Sequence, residues 1–310
     1  MKQLDESLFP CSPGLDGSDA QRNAIYYVPV NPFIFKQPAV PKHCFENERL
    51  ELLSDRSTNR IIALDLSAQM ELPYPATTPN MLSRYITIGK GDNLSLNLNA
   101  VVNIYYVMEG RGHSACGDTC IAWKTGDVFI FPGGTATSHL ASDEGAALYL
   151  VTDEPMLSFS GTRAADNKDA KVAATLFSSD EINLHLERTY ARSTSGVEAA
   201  KSVWFTSKQM ESLRTTSPNI TANLNTLAAG DDQRAHRHNA AAITLSIAGD
   251  GVYSVVDGER SDWYPFSVMV TPPGALHSHH NRGSNTMRSF VVQDSGLHYY
   301  SRTTGFHFDH

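Results

Sequence analysis

The sequence predicts an all-β protein in which two similar barrel-like units follow one another along the chain. Two observations carry this prediction. A segment recurs at a constant offset, and short β-type runs such as AAITLSIAG, GVYSVVDG, SVMVTPPG and MRSFVVQD are separated by Gly, Pro and Asp. Runs at such close spacing are typical of an antiparallel sandwich or a jelly-roll barrel, because βαβ units would place helices between the strands.

The repeat is visible when residues 79–112 are aligned without a gap with residues 218–251. The opening Pro-Asn pair, a central Gly-Asp pair and the two closing glycines coincide in the two segments. After one inserted residue, FPGGTATSH (131–139) faces TPPGALHSH (271–279), and Asp153 later faces Asp294. The chain therefore carries two copies of one unit.

The repeat predicts four parts: an N-terminal arm (1–75), an N-terminal barrel (76–158), a partly helical linker (159–205) and a C-terminal barrel (206–310). The arm holds one strand candidate, NRIIALDLSA, and in the linker Ser178 with Glu181 has the pattern of a capping box that opens a short amphipathic helix. The segment SACGDTC is interpreted as a hairpin loop, since no second cysteine or histidine pair accompanies it as a zinc site would need.

Composition excludes several classes of function. The net charge of -8 disfavours nucleic acid and anionic membranes as partners. No apolar run approaches the ~18 residues that span a bilayer, and the first residues lack the apolar region of a secretory signal. Four cysteines are too few for a disulfide scaffold, so we expect a cytoplasmic protein.

Two histidines around one arginine, in AHRHNAAA, are the first sign of a metal site. If this segment is a single strand, alternate side chains share a face. That face would hold Arg234, His236, His238, Ala240 and Ala242. A second segment, TPPGALHSHHN, supplies His277 and His279.

The spacing in the two segments, Gly230-x5-His236-x-His238 and Pro272-x-Gly274-x2-His277-x3-Asn281, resembles the two-part metal motif of the cupins. The resemblance covers about residues 76–158 and 206–300. It implies a bicupin of two tandem jelly-roll (double-stranded β-helix) barrels, with His236, His238 and His277 as metal ligands.

Many cupins add a glutamate after three or four further residues, but Ala242 and Ile243 stand there and neither can ligate. Three neutral imidazoles with open positions beside them suit Fe(II), while Zn, Mn, Ni and Co stay open. In the first unit Asn97, Asn99 and Thr137 replace the three histidines. We therefore predict one metal ion per chain, in the C-terminal barrel, and a structural N-terminal barrel.

Two further residues are candidates for the reaction. Arg234 can pair with a substrate carboxylate, or with Asp231 or Asp232. His279 shares the strand parity of His277, and its repeat partner is His139. It can act as an acid, a base or an orienting group, or make a plain structural hydrogen bond. Trp204, Tyr253 and Trp263 are candidate aromatic walls.

Within the cupins, the string AHRHNAAAITLSIAGDGVYSVVDGER resembles gentisate 1,2-dioxygenase and its relatives that act on salicylate and 1-hydroxy-2-naphthoate. This resemblance implies an Fe(II)-dependent homo-oligomer that uses O2 to cleave the ring of a hydroxylated aromatic carboxylic acid. Gentisate dioxygenases carry iron in the N-terminal barrel, whereas this chain keeps the ligands only in the C-terminal one. The alternatives are an oxygen-independent metal-dependent lyase, decarboxylase or isomerase, and a non-catalytic bicupin that binds a small molecule.

Overall fold

The structure is a computed structural model that describes residues 17–26, 35–166, 169–192 and 200–309. Parts of the predicted arm and linker, residues 1–16, 27–34, 167–168 and 193–199, lie outside this description. Contacts divide the chain into two units, Met1–Pro38 and Ala39–His310. The first unit contains a short helix, α1 (Asp19–Arg22), which begins with a capping box between Ser18 and Gln21. The elements that follow belong to the second unit.

The strands between residues 60 and 177 form one eight-stranded antiparallel sheet, which we call the N-terminal barrel. In chain order they are β2 (Arg60–Leu64), β3 (Leu82–Ile88), β4 (Asn93–Leu96), β5 (Val102–Cys116), β6 (Thr119–Lys124), β7 (Val128–Pro132), β8 (Thr137–Thr152) and β9 (Thr175–Phe177). The register of the long pair β5–β8 shifts at two β-bulges, one between Val107 and Glu109 and one between Gly110 and Gly112. Bulges bend a strand and increase its twist, so one sheet can wrap around a core.

In the part of the chain that the structure describes, eleven more strands form two antiparallel sheets, which we call the C-terminal barrel. They are β1 (His43–Cys44), β10 (Lys201–Phe205), β11 (Thr221–Leu227), β12 (His236–His238), β13 (Ala242–Ala248), β14 (Val252–Val256), β15 (Glu259–Asp262), β16 (Val268–Thr271), β17 (His277–Asn281), β18 (Met287–Gln293) and β19 (Phe306–Phe308). One sheet has the order β1-β16-β13-β18-β11-β10 and the other β15-β14-β17-β12-β19. The predicted all-β class is confirmed.

The helices are short and lie between the strands. They are α2 (Glu46–Ser54), α3 (Glu154–Ser160), α4 (Ser179–Tyr190) and α5 (Ser295–Ser301). Helix α4 is the one that the capping pattern predicted, and Ser178 Oγ accepts a hydrogen bond from the Glu181 N–H. The predicted hairpin is also confirmed, because Gly117 and Asp118 connect β5 with β6. No helix among the described residues has the length and apolar character needed to cross a lipid bilayer.

The largest apolar core lies between the two barrels, where buried residues of both form one cluster. Tyr106 of the N-terminal barrel stacks on Phe290 of the C-terminal barrel at a ring-centroid distance of 5.4 Å. The interiors of the barrels differ. Among the described residues, fourteen buried apolar ones, including Tyr105 and Phe129, pack together within the N-terminal barrel, whereas the corresponding cluster of the C-terminal barrel has five. The C-terminal barrel therefore has interior space for polar side chains and a cavity.

Candidate metal centre

The three predicted ligands come together inside the C-terminal barrel. His236 and His238 lie on β12, and His277 opens β17, where it is the antiparallel partner of His236. The ring centroid of His277 is 4.2 Å from that of His236 and 4.7 Å from that of His238. One nitrogen from each ring lies within 4.8 Å of the others. Across the described part of the chain, this is the one such cluster of His, Cys, Asp or Glu side chains.

The chain turns directly after His238, so the expectation of a single strand over residues 234–242 is wrong. Strand β12 ends at His238, and β13 begins at Ala242 in the other sheet. Two hydrogen bonds hold this turn: Gly274 N donates to His238 O at 2.7 Å, and Ala241 N donates to Asp294 Oδ1 at 2.8 Å. Because of this turn, His236 and His238 lie on one strand, whereas Ala242 already belongs to a strand of the other sheet.

Each of the three imidazoles is held by a backbone carbonyl two residues away. The Nδ1 atoms of His236, His238 and His277 lie 2.9, 2.8 and 3.0 Å from the carbonyl oxygens of residues 234, 240 and 275. Because a carbonyl only accepts, Nδ1 carries the proton and donates it, which leaves the lone pair on Nε2. A hydrogen bond from the second ring nitrogen is the usual way in which a ligating histidine is oriented.

Burial keeps these rings neutral. It lowers the pKa of His236, and it lowers the pKa of His238 to about 4 and that of His277 to about 2, where the neighbouring imidazoles add to the effect. Neutral imidazoles with a free Nε2 are the form that binds a divalent transition metal. The donor set therefore fits such an ion, and no carboxylate belongs to the cluster.

A cavity of about 340 Å³ opens beside His236 and His238. Its lining is mostly polar and uncharged, and the carboxamides of Asn223, Asn225, Gln233 and Gln293 contribute to it. Trp204 is the one predicted aromatic wall that lines it, together with Phe306 of the C-terminal strand β19. Strand β19 pairs with β12, and the Phe306 ring lies 5.1 Å from the His236 ring, so the C-terminal tail covers the histidines.

Comparison with known proteins supports the interpretation of this half of the chain. Residues 223–293, which include all three histidines, match the family model of the cupin domain. This segment of the C-terminal barrel is thus similar to a cupin domain. Relatives include a gentisate 1,2-dioxygenase from Ralstonia sp, 31% identical over 83 residues, and a 5-aminosalicylate 1,2-dioxygenase from Comamonas sp, 37% identical over 78 residues. These matches span 27% and 24% of this chain, and 23% and 21% of the two relatives.

The likeness of the fold extends over most of the molecule. The structure of salicylate 1,2-dioxygenase from Pseudaminobacter salicylatoxidans matches with a TM-score of 0.73 over 90% of each chain, at 12% identity. A structure of the same enzyme with gentisate also gives 0.73, over 91% of this chain and 87% of that one, at 12% identity. The prediction of two cupin barrels in tandem is thereby confirmed.

Arg234 does not lie among the described residues that line the cavity of the C-terminal barrel. Its guanidinium stacks over the Phe308 ring at 4.7 Å and donates to Asp309 O at 3.2 Å. The alternative pairing with Asp232 is also not formed, because that carboxylate accepts from His280 and Arg282 instead. In this structure Arg234 fastens the C-terminal tail, and its contact with a substrate carboxylate stays a prediction.

His279 belongs to a series of hydrogen bonds inside the C-terminal barrel. The indole Nε1–H of Trp263 donates to Ser254 Oγ at 2.7 Å, and this Oγ lies 2.7 Å from His279 Nδ1. Since Ser254 accepts from the indole, its own hydrogen can go to Nδ1, which leaves the neutral ring with its proton on Nε2. Burial lowers the pKa of His279 to about 3, and the nearby imidazoles contribute. This arrangement suits a neutral histidine that donates from Nε2.

The N-terminal barrel contains an equivalent series of hydrogen bonds, although its sequence lacks the three clustered histidines. Trp123 donates to Ser114 at 2.7 Å, and Ser114 lies 2.7 Å from His139 Nδ1. The Nε2 atom of His139 contacts Thr137, which replaces His277, at 3.0 Å and the hydroxyl of Tyr105 at 3.2 Å. The series of hydrogen bonds is therefore a property of both barrels, whereas the cluster of imidazoles is formed in the C-terminal one.

The sequence patterns did not reveal the carboxamides of the cavity. Asn223 and Asn225 alternate with apolar residues along β11, a pattern that usually marks a solvent-facing side of a strand. Here this side of the strand faces the cavity, and Asn223 is buried. Gln293 stands at the end of an apolar strand, where a single polar residue carries no distinct signal.

Proposed function

We propose that this chain is a metal-dependent dioxygenase that cleaves the ring of a hydroxylated aromatic carboxylic acid, with His236, His238 and His277 as the ligands of Fe(II). The observation that carries the proposal is the convergence of three imidazole nitrogens, with no carboxylate in the cluster, where His236 and His238 line a cavity. A divalent ion held by three protein ligands keeps further positions open, and it supplies a Lewis acid at which a hydroxy acid and dioxygen can be activated side by side. The names of the relatives, dioxygenases of gentisate and 5-aminosalicylate, support the same class.

The side chains of the cavity have separate tasks in this proposal. The three histidines hold the ion without adding charge, so an anionic substrate is attracted to it. Trp204 and Phe306 provide apolar faces for an aromatic ring and reduce access of water. Asn223 and Asn225 offer neutral polar groups to ring substituents. His279 is proposed to donate a proton or a hydrogen bond to the substrate through Nε2. The N-terminal barrel, in which the ligands are replaced, is proposed to be structural.

The decisive experiment is anaerobic reconstitution with Fe(II), followed by measurement of oxygen uptake with gentisate, salicylate and related hydroxylated aromatic acids. We expect substrate-dependent uptake of one O2 per ring cleaved, and its loss in the His277→Ala variant. His139→Gln, which changes the related histidine of the other barrel, is the matched control and should keep its activity. Turnover without oxygen would favour a lyase, decarboxylase or isomerase, and binding without turnover a non-catalytic bicupin. Reconstitution with Zn, Mn, Ni and Co tests the identity of the metal.

A further inference from the structure

Gln293, the last residue of β18, is the carboxamide that stands next to the ligands. Its Nε2 lies 3.3 Å from His238 Nε2, and its Oε1 accepts a hydrogen bond from Ser295 Oγ at 3.0 Å. We propose that Gln293 orients the substrate by donating a hydrogen bond from its carboxamide to an oxygen of the aromatic hydroxy acid, and that Ser295 positions this carboxamide. The inference rests on the proposed function and deepens it.

The hydrogen bonds around Gln293 determine which end of the carboxamide faces the site. His238 Nε2 carries a lone pair and accepts, so the carboxamide turns its Nε2 towards this histidine, and Ser295 Oγ then donates to Oε1 on the other side. His238 donates its Nδ1–H to the carbonyl of Ala240, so its Nε2 carries a lone pair that can accept from the amide. If this lone pair faces a metal ion, one N–H of Gln293 no longer has a protein acceptor. An unmade hydrogen bond of this kind is costly, and a substrate oxygen beside the ion would restore it.

The position of Gln293 in the sheet explains why it can reach this place. Its cross-strand partner on β13 is Ala242, and cross-strand partners point to the same face of a sheet. Ala242 is one of the two positions at which many cupins carry a glutamate. The methyl group of Ala242 leaves space there, and the longer Gln293 side chain extends into the cavity from the neighbouring strand.

The rest of the lining favours a neutral donor over a cation as the recognition element. Among the described residues that line the cavity there is no Lys or Arg. Other carboxamides of the lining direct an N–H elsewhere, since Asn223 Nδ2 donates to Asn225 Oδ1 and Asn239 Nδ2 donates to Thr303 O. Gln233 has no contact with a ligating histidine among the hydrogen bonds described. Gln293 is thus the carboxamide whose N–H is directed at a ligating histidine. This arrangement suits a hydroxyl or carboxylate oxygen that is already bound next to that histidine.

The test uses the full chain loaded with Co(II), whose visible absorption reports both metal and ligand binding, titrated with salicylate under argon. We expect the Gln293→Leu variant to bind Co(II) as tightly as the wild type and salicylate about tenfold to a hundredfold more weakly, the range for a hydrogen bond to a charged group. Ser295→Ala should weaken salicylate binding by a smaller factor. The matched control is Thr152→Val, because Thr152 is the residue of the N-terminal barrel that corresponds to Gln293. It ends β8 and pairs with Leu82 and Asn103, just as Gln293 ends β18 and pairs with Thr221 and Ala242.

Each result decides between defined alternatives. Weaker Co(II) binding by Gln293→Leu would show that the side chain is a ligand and would overturn the inference. An unchanged salicylate dissociation constant, in a variant whose melting temperature equals that of the wild type, would overturn it as well. If Co(II)-loaded wild type binds neither salicylate nor gentisate, the proposed substrate class itself fails. The wild-type titration therefore separates the failure of the function from the failure of the role of Gln293.

Discussion

Asn219 of the C-terminal barrel donates a 2.7 Å hydrogen bond to Asp153 Oδ2, a buried carboxylate of the N-terminal barrel. The corresponding residues make an equivalent bond with the barrels exchanged: Asn80 of the N-terminal barrel donates to Asp294 Oδ2 of the C-terminal barrel at 2.7 Å. Burial raises the pKa of both aspartates. The Pro-Asn pair that opens each copy of the repeat thus links it to the other copy. This exchange gives a physical reason for the packing of the barrels against each other.

The two asparagines are expected to have equal effects on stability and unequal effects on the metal site. Replacing either by leucine removes the partner of a buried carboxylate and should lower the free energy of unfolding by about 2 kcal/mol. Asp294 also accepts from Ala241 N in the turn after His238. We therefore expect Asn80→Leu, but not Asn219→Leu, to weaken Co(II) binding by about tenfold, as the loss of an outer partner of a ligand does. Urea unfolding and a Co(II) titration measure the two effects, and equal Co(II) affinities in both variants would contradict the expected link.

Metal stoichiometry tests the difference between the barrels. We expect one Co(II) or Fe(II) per chain. Alanine at His236, His238 or His277 should weaken metal binding by more than about a hundredfold, which is the largest loss usual when only a hydrogen-bond partner of a ligand is removed. His139→Gln should bind one ion as the wild type does, because Thr137 replaces a ligand beside it. Equilibrium dialysis with metal analysis gives both numbers. A second ion per chain, lost in the His139 variant, would refute the structural role of the N-terminal barrel.

Equivalent hydrogen-bonded triplets, Trp263–Ser254–His279 and Trp123–Ser114–His139, allow the two barrels to be compared within one protein. Removing the serine hydroxyl should cost about 1 kcal/mol of stability in either barrel, because one hydrogen-bonded link is lost. If His279 has a role in the reaction, Ser254→Ala should also lower kcat, since the ring is no longer fixed with its proton on Nε2. Ser114→Ala should leave kcat unchanged. Equal kcat values for the two variants would reduce His279 to a structural residue.

The cluster of three histidines was predictable because the spacing of its members is local. The motif around His236 and His238 and that around His277 each lie within a few residues, and the repeat showed which barrel had lost them. The same locality explains the error at the turn after His238. The hydrogen bonds of this turn involve Gly274 and Asp294, which are distant in sequence. The alternation of polar and apolar residues along a strand gives no sign of such long-range bonds.

The surroundings of the metal site depend on long-range register, which a single sequence does not show. Gln293 reaches the ligands from β18 because β13 and β18 pair with Ala242 opposite Gln293. Arg234 has the parity that would direct it into the cavity, but its guanidinium packs on Phe308 of a strand near the end of the chain. The three-histidine cluster was thus predictable, whereas the side chains that surround it in the structure were not.

The pH dependence of stability should report the buried histidine of the N-terminal barrel. Burial lowers the pKa of His139 to about 4, against about 6.5 in an unfolded chain. The unfolded state therefore takes up a proton below pH 6.5 while the folded state does not. The stabilisation by neutral His139 is complete above pH 6.5 and is lost as the pH falls from 6.5 to 4, by about 3 kcal/mol in total for a shift of this size.

His139→Gln isolates this contribution, because glutamine keeps polar atoms in the site and does not titrate. We expect the wild type to lose more unfolding free energy than the variant between pH 7 and pH 4.5, measured by urea unfolding at each pH. Buried Asp153 and Asp294 act in the opposite sense, since a raised pKa in the folded state makes the protein more stable as the pH falls. They are present in both proteins, so their effect cancels in the difference. Parallel curves for wild type and variant would mean that His139 titrates normally in the folded state and that its surroundings differ from those described.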